Sequence, residues 1–168
     1  MTGLRTNQDL DRDRLREVFG IFPSGVVAVA ALVDGVPVGL AASSFTSVSL
    51  EPPLVSFAIS NISKTWPDLR RATHLGVTIL ADHHARAARQ LAGAVAQRFD
   101  GLAVSLTQEG AVVLDDGLAA FETTIENEVV AGDHTIVVLR LHGVRRTGSA
   151  DPSPLVFHRS RFSRLQAA

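Results

Sequence analysis

The chain has 168 residues, of which 46% are apolar and 20% are charged, and its formal net charge is −1. This length and composition predict a globular protein with a sizeable core. No cluster of basic residues stands out, which argues against nucleic-acid or anionic-membrane partners, because both are bound through concentrated positive charge. The chain has no cysteine, so disulfides, thiolate catalysis and cysteine-ligated metals are excluded.

The N-terminal segment is polar and lacks the apolar stretch of a signal peptide. No run approaches the roughly 20 apolar residues that span a bilayer, so we expect a cytoplasmic protein. Residues 1–8 are interpreted as a loose leader. Residues 9–168 are interpreted as one domain, since neither a repeat nor a linker divides them.

The first predicted element is a helix that starts near residue 9. Four apolar residues at i, i+3, i+4 and i+7 form one stripe on it: Leu15, Val18, Phe19 and Phe22. Asp9 or Asp11 is a candidate N-cap, and Gly20 and Pro23 mark the end of the helix. Two further helices are predicted, at residues 65–73 and 82–96.

The rest of the chain favours strands. Asp34-Gly35 is a two-residue hairpin signal, and Gly132-Asp133 marks a second turn. Pro52-Pro53 is expected to interrupt the extended segment at residues 45–50, because proline cannot donate to a central ladder. The predicted strands are residues 26–32, 36–42, 54–59, 74–80, 121–126, 135–144 and 155–158, with a loop at 151–154.

Six or seven strands with about three helices predict a mainly β protein. Little regular alternation of strands with helices is present, which argues against a doubly wound sheet. An antiparallel β-barrel with peripheral helices fits the pattern better.

One candidate binding segment is Ser63, Lys64 and Thr65, just before the second predicted helix. The free N–H groups at a helix start, two hydroxyls and an ammonium suit a phosphate. Thr65 and Asp68 have the spacing of a capping box, and Pro67 fits the first turn. The alternative is an ordinary capped surface helix, in which Asp68 competes with any anion.

A second candidate is the run of small residues at the end of a predicted strand, Ala41, Ala42, Ser43 and Ser44. Small side chains let a flat ligand approach the backbone, and the hydroxyls add donors. The alternative is a hydroxyl-rich strand end with no ligand.

The six histidines do not predict a metal site. His83 and His84 are adjacent, so on a helix they point in different directions and chelate one ion poorly. His134 follows the turn at Gly132-Asp133, where an imidazole can face a ligand pocket. The alternative for His134 is a turn histidine that bonds a backbone carbonyl.

Several segments together resemble the flavin reductase-like family of FMN-binding split β-barrels. The resemblance covers most of the chain from about residue 15, in the family's order and spacing. It is carried by residues 39–55 (GLAASSFTSVSLEPPLV) and 60–65 (SNISKT), with support from 23–27, 76–80, 98–99, 132–134 and 154–157.

The resemblance implies a homodimer of split barrels with flavin, either FMN or FAD, near the subunit interface. It places Ala41, Ala42, Ser43 and Ser44 on one side of the flavin. It implies that Ser63 and Thr65, with Lys64 beside them, meet the phosphate, and that Phe99 and His134 lie on the nicotinamide side. The stretch close to the flavin ring is Ser47, Val48, Ser49 and Leu50.

The chain departs from the family pattern at three places. Asp82-His83 stands where many relatives have Asp-Gln, and Leu91-Ala92 replaces a common Phe-Ala pair. Phe157 stands for an aromatic residue near the C-terminus, in a chain without tyrosine. These departures affect the shape expected for the nicotinamide pocket and leave the fold prediction unchanged.

The resemblance predicts a reductase that passes a hydride from NADH, or NADPH, to FMN or FAD and supplies a partner monooxygenase through diffusing reduced flavin. NADH is favoured because no basic cluster for a 2′-phosphate is visible. His134 is predicted to orient the nicotinamide. The alternatives are a flavin-binding module without turnover, an oxidase with bound flavin and, more remotely, a metal-dependent enzyme.

Overall fold

The computed structural model describes residues 10–146 and 153–165. Within them lie twelve strands: β1 Ser24–Gly25, β2 Val27–Val33, β3 Val36–Ala42, β4 Thr46–Leu50, β5 Pro53–Ser60, β6 Leu75–Ile79, β7 Val104–Leu106, β8 Val112–Leu114, β9 Ala119–Ala131, β10 His134–Arg146, β11 Leu155–His158 and β12 Arg161–Arg164. The α-helices are α1 Arg12–Phe19, α2 Trp66–Leu69 and α3 Ala85–Leu91, with 3-10 turns at Asp82–His84 and Val95–Gln97.

Seven of the strands form one antiparallel sheet in the order β3-β2-β6-β9-β10-β5-β4. The hairpin of β9 and β10 runs through its centre, with 13 residues in each strand. Two register shifts interrupt this hairpin, at Val138/Leu139 and at Leu141/Gly143. Such irregularities bend a sheet and increase its twist. The remaining strands pair as β1-β11-β12 and β7-β8, so the predicted β-rich class with peripheral helices is confirmed.

Strand β2 is buried on both of its faces. Val27 and Val29 belong to the larger apolar cluster, with Phe57 and Leu139. Side chains alternate along a strand, so the neighbouring Ala28 points the other way, into the smaller cluster. This second cluster includes Ala87, Ala88 and Leu91 of α3. Burial on both sides explains why residues 26–33 form an unbroken apolar run.

Helix α1 begins directly after Asp11, one of the two N-cap residues that the sequence suggested. The Asp11 carboxylate accepts hydrogen bonds from the backbone N–H groups of Asp13 and Arg14, at 3.0 and 2.9 Å. The predicted apolar stripe, however, does not face the core of this chain. No α1 residue is buried, and Phe19 is 68% exposed.

Both later helices are shorter than the sequence predicts. Beyond Arg70 the hydrogen bonds change from i→i−4 to i→i−3, with Ala72 donating to Leu69, so α2 tightens and ends instead of reaching residue 73. The predicted helix at 82–96 is divided into α3 and two 3-10 turns. Its break lies at Ala92 and Gly93, where glycine gives the helix little support.

The strand predictions are largely confirmed. The predicted interruption is confirmed, since β4 ends at Leu50 and a turn precedes β5. Pro53 is the first residue of β5, a position where a missing N–H is tolerated. Strands β1, β7, β8 and β12 were not predicted, because two to four residues carry little periodicity. Residues 1–8 and 151–152 lie outside the described part of the chain, and the assignment of 9–168 to a single domain stays a prediction.

No helix within residues 10–146 and 153–165 combines the length and apolarity needed to cross a membrane.

The close packing of β6 on β8 gives a test of the fold. A Cβ added at Gly76 would overlap the carbonyl oxygen of Val112, which is backbone and cannot rotate away. We expect Gly76→Ala to lower the free energy of unfolding by about 3 kcal/mol, measured by urea denaturation. Gly143→Ala is the control, since its Cβ would lie 3.7 Å from the Glu122 side chain, an ordinary contact. Equal stability of the two variants would contradict this packing.

The 3-10 turn before α3 predicts a pH-dependent stability. The N–H of Ala81 donates to Nδ1 of His84 at 3.2 Å, which requires that nitrogen to be unprotonated. Burial, and secondarily His83, hold the pKa of His84 below its usual value. As the pH falls below about 6.5, the unfolded chain therefore takes up the proton first, and the free energy of unfolding decreases.

We expect His84→Asn to reduce this acid-induced decrease, because the asparagine oxygen keeps an acceptor for Ala81 but does not titrate. The measurement is urea denaturation at pH 7.5 and 5.5, with His158→Asn as the control. The same loss of stability in the wild type and in His84→Asn would show that His84 is not responsible.

Candidate functional site

A shallow cleft of about 150 Å³, here called the β3 cleft, lies where the end of β3 meets α3 and β11-β12. Its lining is Val26, Ala41, Ala42, Ser43, Ala88, Ala92, Phe157 and Phe162. The register of β11 with β12 sets the two phenylalanines directly opposite each other, with ring centroids 5.4 Å apart. The guanidinium of Arg89 lies over the Phe162 ring, 5.2 Å from its centroid.

The β3 cleft fits a flat aromatic group. Alanine side chains leave the backbone accessible, two aromatic rings provide an apolar wall, and the exposed Ser43 offers a hydroxyl. The structure thus gathers three of the predicted site residues, Ala41, Ala42 and Ser43. Phe162 and the α3 alanines were not predicted, because only the pairing of distant segments brings them here.

Ser44 has a structural bond that the sequence did not indicate. Its Oγ donates to the carbonyl oxygen of Ala58 at 3.1 Å and accepts from the N–H of the same residue at 2.9 Å. Ser44 therefore fastens the chain beyond β3 to strand β5. A ligand that bonds this hydroxyl has to share it with the backbone.

The predicted ring-side stretch forms the edge strand β4. Ser47 pairs with Val55 and Ser49 with Leu54, and the register shift between them leaves Val48 unpaired. Val48 and Leu50 are exposed, Leu50 by 90%. These side chains are accessible, but they lie on the edge of the sheet beyond β5 rather than in the lining of the β3 cleft.

The segment before α2 is capped differently from the prediction. Ser63 Oγ accepts from the N–H groups of Thr65 and Trp66, at 3.3 and 3.2 Å, so Ser63 caps the helix. The capping box predicted for Thr65 and Asp68 is wrong, because the Thr65 side chain makes no cap bond. Lys64 is exposed, whereas Thr65 is only 3% exposed. With four residues, α2 also contributes little helix dipole.

Arg98 joins three parts of the site. Its Nη1 donates to Thr65 Oγ1 at 2.7 Å and to the carbonyl oxygen of Gly39 at 2.9 Å, and its Nε donates to the carbonyl oxygen of Gly93 at 3.0 Å. Burial lowers the pKa of Arg98. The sequence drew attention to Arg98 only as the neighbour of Phe99.

Phe99 packs closely on β3. Its ring reaches within 2.7 Å of where a Cβ of Gly39 would stand, so a larger residue there would displace the ring. Phe99 packs against the smaller apolar cluster, as do Ala41 and Phe157. It therefore supports the wall of the β3 cleft without being part of its lining.

His134 opens β10, opposite Ser60 of β5. Its Nδ1 lies 2.7 Å from Asp133 Oδ1, and this hydrogen bond, followed by the charge of the imidazole, lowers the pKa of Asp133. The carboxylate orients the ring. Among the described residues, none of the cleft-lining side chains contacts His134, so the structure does not bring it to the β3 cleft.

A second cleft, of about 330 Å³ and here called the α2 cleft, lies between His134's strand and α2. Ser60, Asn61, Ser63, Trp66 and Thr135 are among its lining residues. Asn61 closes one side by accepting from Thr135 Oγ1 at 2.8 Å and donating to the carbonyl oxygen of Gly132 at 3.1 Å. The α2 cleft thus links Ser63 to the turn that carries His134.

Glu128 closes the other side of the α2 cleft. It accepts from Trp66 Nε1 at 3.0 Å and from Arg70 Nε at 2.7 Å. These bonds fix the tryptophan directly after the predicted phosphate segment. In the described residues, no three His, Asp or Glu side chains lie close enough to hold a metal ion.

Comparison with known sequences gives consistent matches. A family model described as "Flavin reductase like domain" matches residues 19–166. A flavin reductase of Pseudomonas putida is 33% identical over 159 residues, which cover 94% of this chain and 92% of that protein. The FMN reductase (NADH) SmoA of Agrobacterium fabrum is 37% identical over 151 residues, 89% of this chain and 84% of SmoA.

Comparison with solved structures gives matches to the same kind of protein. A homologue of nitrilotriacetate monooxygenase component B from Mycobacterium thermoresistibile overlays with a TM-score of 0.90 at 28% identity, covering 95% of this chain and 89% of that one. The NADH:FAD oxidoreductase SgcE6 of Streptomyces globisporus, solved with NAD and FAD fragments, overlays with a TM-score of 0.87 at 32% identity, covering 98% of each chain. The predicted split β-barrel is confirmed, and the chain belongs to the flavin reductase-like family.

Proposed function

We propose that this chain is an NAD(P)H:flavin oxidoreductase that transfers a hydride from NADH, or NADPH, to FMN or FAD and supplies a partner monooxygenase with reduced flavin. The observation that carries the proposal is the β3 cleft, in which the family's small-residue run meets an aromatic wall. The names of relatives support it: one is an FMN reductase (NADH), and another is the reductase subunit HsaB of a flavin-dependent monooxygenase in Mycobacterium tuberculosis.

The β3 cleft would hold the flavin ring, with Ala41 and Ala42 allowing close approach and Ser43 as a donor. Bound flavin supplies the hydride-accepting centre of the reaction. The chain's own residues then need to hold two rings together and keep water out, which requires no acid–base pair. Because the residues need only to hold the rings and exclude water, alanine, serine and phenylalanine can dominate the lining of the β3 cleft.

His134 is proposed to orient the nicotinamide rather than to transfer a proton. Its imidazole is held by Asp133 and is half exposed, so it can donate to a ligand through Nε2. Ser47, Val48, Ser49 and Leu50 are proposed to approach the flavin ring from β4, together with Ser44. Phe99 is proposed to lie on the nicotinamide side. We propose NADH as the preferred hydride donor, since the sequence shows no basic cluster for a 2′-phosphate. A cytoplasmic location stays a prediction.

We also propose that two copies form a homodimer, because the parts of the site lie apart in one chain. His134 and β4 are separated from the β3 cleft, so a second copy can bring them to it. Exposed apolar side chains near the turn at 132–133 and on β4 offer a surface for this contact: Val48, Leu50, Ile62, Val129, Val130 and Ile136. The exposed stripe of α1 offers another.

The reductase proposal predicts NADH oxidation that depends on added flavin. Purified protein with NADH and FMN or FAD should show loss of NADH absorbance that saturates with flavin, while NADH alone should be stable. Ala42→Trp, which would fill the cleft at a position now 8% exposed, should reduce kcat/KM for flavin at least about tenfold. Val144→Trp, on the exposed far end of β10, is the control.

If flavin binds but neither NADH nor NADPH reduces it, the reductase proposal is wrong and the chain is a flavin-binding module. Turnover of a small organic substrate with flavin that stays bound would favour the oxidase alternative.

The dimer proposal predicts that a charge near the turn at 132–133 separates the subunits. Val130→Glu should shift the mass in sedimentation equilibrium from two chains to one, because a carboxylate would be buried in an apolar contact. Val144→Glu is the matched control: both valines are exposed, by 75% and 71%, at opposite ends of the same hairpin. A monomeric wild type would contradict the proposal.

A further inference from the structure

We propose that a cleft beside β12 binds the adenosine diphosphate group of a dinucleotide substrate, with Arg89 and Arg164 as the residues that bind the diphosphate. This inference deepens the proposed function and rests on it, since NADH and FAD both carry this group. The cleft, here called the β12 cleft, has a volume of about 440 Å³. Its lining includes Asp82, His83, Ala85, Phe162, Ser163 and Arg164.

The β12 cleft and the β3 cleft share one wall. Phe162 lines both of them. Helix α3 also borders both, because Ala85 lines the β12 cleft and Ala88 and Ala92 line the β3 cleft. A dinucleotide has two ring systems joined by a diphosphate. If its reactive ring lies in the β3 cleft, the rest of the molecule can therefore extend past Phe162 into the β12 cleft.

Two guanidinium groups flank Phe162 at this shared wall. That of Arg89 lies over the ring, 5.2 Å from its centroid. Arg164 comes two positions after Phe162 on β12, and side chains two positions apart lie on the same face of a strand. In the described part of the chain, neither arginine makes an ion pair. The diphosphate would therefore lie beside two cations that have no carboxylate partner there, and guanidinium–phosphate hydrogen bonds are strong.

Convergence on one aromatic ring distinguishes these two arginines from their neighbour Arg161. Arg161 also lacks an ion pair among the described residues. It stands directly before Phe162 on β12, however, so its side chain points to the opposite face of the strand, and it does not line the β12 cleft. The chain therefore offers a cation of the same type on the same strand that is not directed at the cleft.

The rest of the lining fits the nucleoside. The carboxylate of Asp82, whose side chain is 31% exposed, can accept hydrogen bonds from ribose hydroxyls, as acidic residues do in dinucleotide-binding proteins. Ala85, Phe162 and the exposed imidazole of His83 offer apolar and flat surfaces to the base. A 2′-phosphate beside Asp82 would meet a like charge, which agrees with NADH rather than NADPH as the hydride donor.

Direct binding of ADP-ribose tests the β12 cleft, because this compound carries the adenosine diphosphate group without a nicotinamide or flavin ring. We expect Arg164→Gln to raise the Kd of ADP-ribose about 10- to 100-fold in isothermal titration calorimetry, the range of a hydrogen bond to a charged group. Arg164→Lys, which keeps the charge but loses the planar fork of donors, should fall between the two proteins.

The matched control is Arg161→Gln, which removes an equally exposed arginine from the other face of β12. It should change the Kd of ADP-ribose less than about threefold. Equal weakening by Arg161→Gln and Arg164→Gln would show a general effect of surface charge and would overturn the inference.

Two further measurements distinguish NADH from FAD as the source of the group. With FMN as acceptor, only NADH carries adenosine. If Arg164→Gln raises the KM for NADH about tenfold or more and changes kcat less than about twofold, the β12 cleft binds NADH. If it raises the Kd of FAD by the same factor and leaves the Kd of FMN unchanged, as followed by flavin fluorescence, the cleft binds FAD. Either result supports the inference.

Two results would overturn the inference while flavin-dependent NADH oxidation, and with it the proposed function, stands. One is a wild type that binds no ADP-ribose at about 1 mM. The other is an Arg164→Gln variant in which neither the KM for NADH nor the Kd of FAD changes. A wild type that does not oxidise NADH with either flavin would overturn the proposed function and the inference that rests on it.

Discussion

Burial of β2 on both faces is the constraint on which the rest of the structure depends. The larger apolar cluster fills one side of the sheet, and α3 packs against the other through Ala88 and Leu91. This arrangement fixes β3 beside β2, in register from Val27 with Ala42 to Val33 with Val36. The end of β3 consequently meets α3, and the β3 cleft forms at their contact.

Close backbone packing keeps the site compact. Gly39 brings the Phe99 ring against β3, and Gly76 brings β8 against β6. Arg98 then joins β3, the end of α3 and the segment before α2 with three hydrogen bonds. These links hold segments that are far apart in the chain close to one another.

Much of the fold could be predicted from the sequence, because its signals are local. Asp34-Gly35 predicted the first hairpin, and both residues have positive φ, as a tight two-residue turn needs. Ala41, Ala42 and Ser43 were recognised through their resemblance to a family, and they line the cleft. Ser63 was also identified, but its bonds show a helix cap, which the Ser-Lys-Thr pattern alone could not distinguish from a ligand site.

By itself the sequence determined the β-rich class, the positions of the main strands and the family, since turn residues, apolar runs and short motifs are encoded in neighbouring positions. Only the tertiary structure decided which segments meet. Phe162 reaches the cleft because β12 pairs with β11, and Arg98 meets Thr65 across 33 positions of chain. Such contacts depend on the register of distant strands and on the packing of helices between them, and no local pattern specifies either.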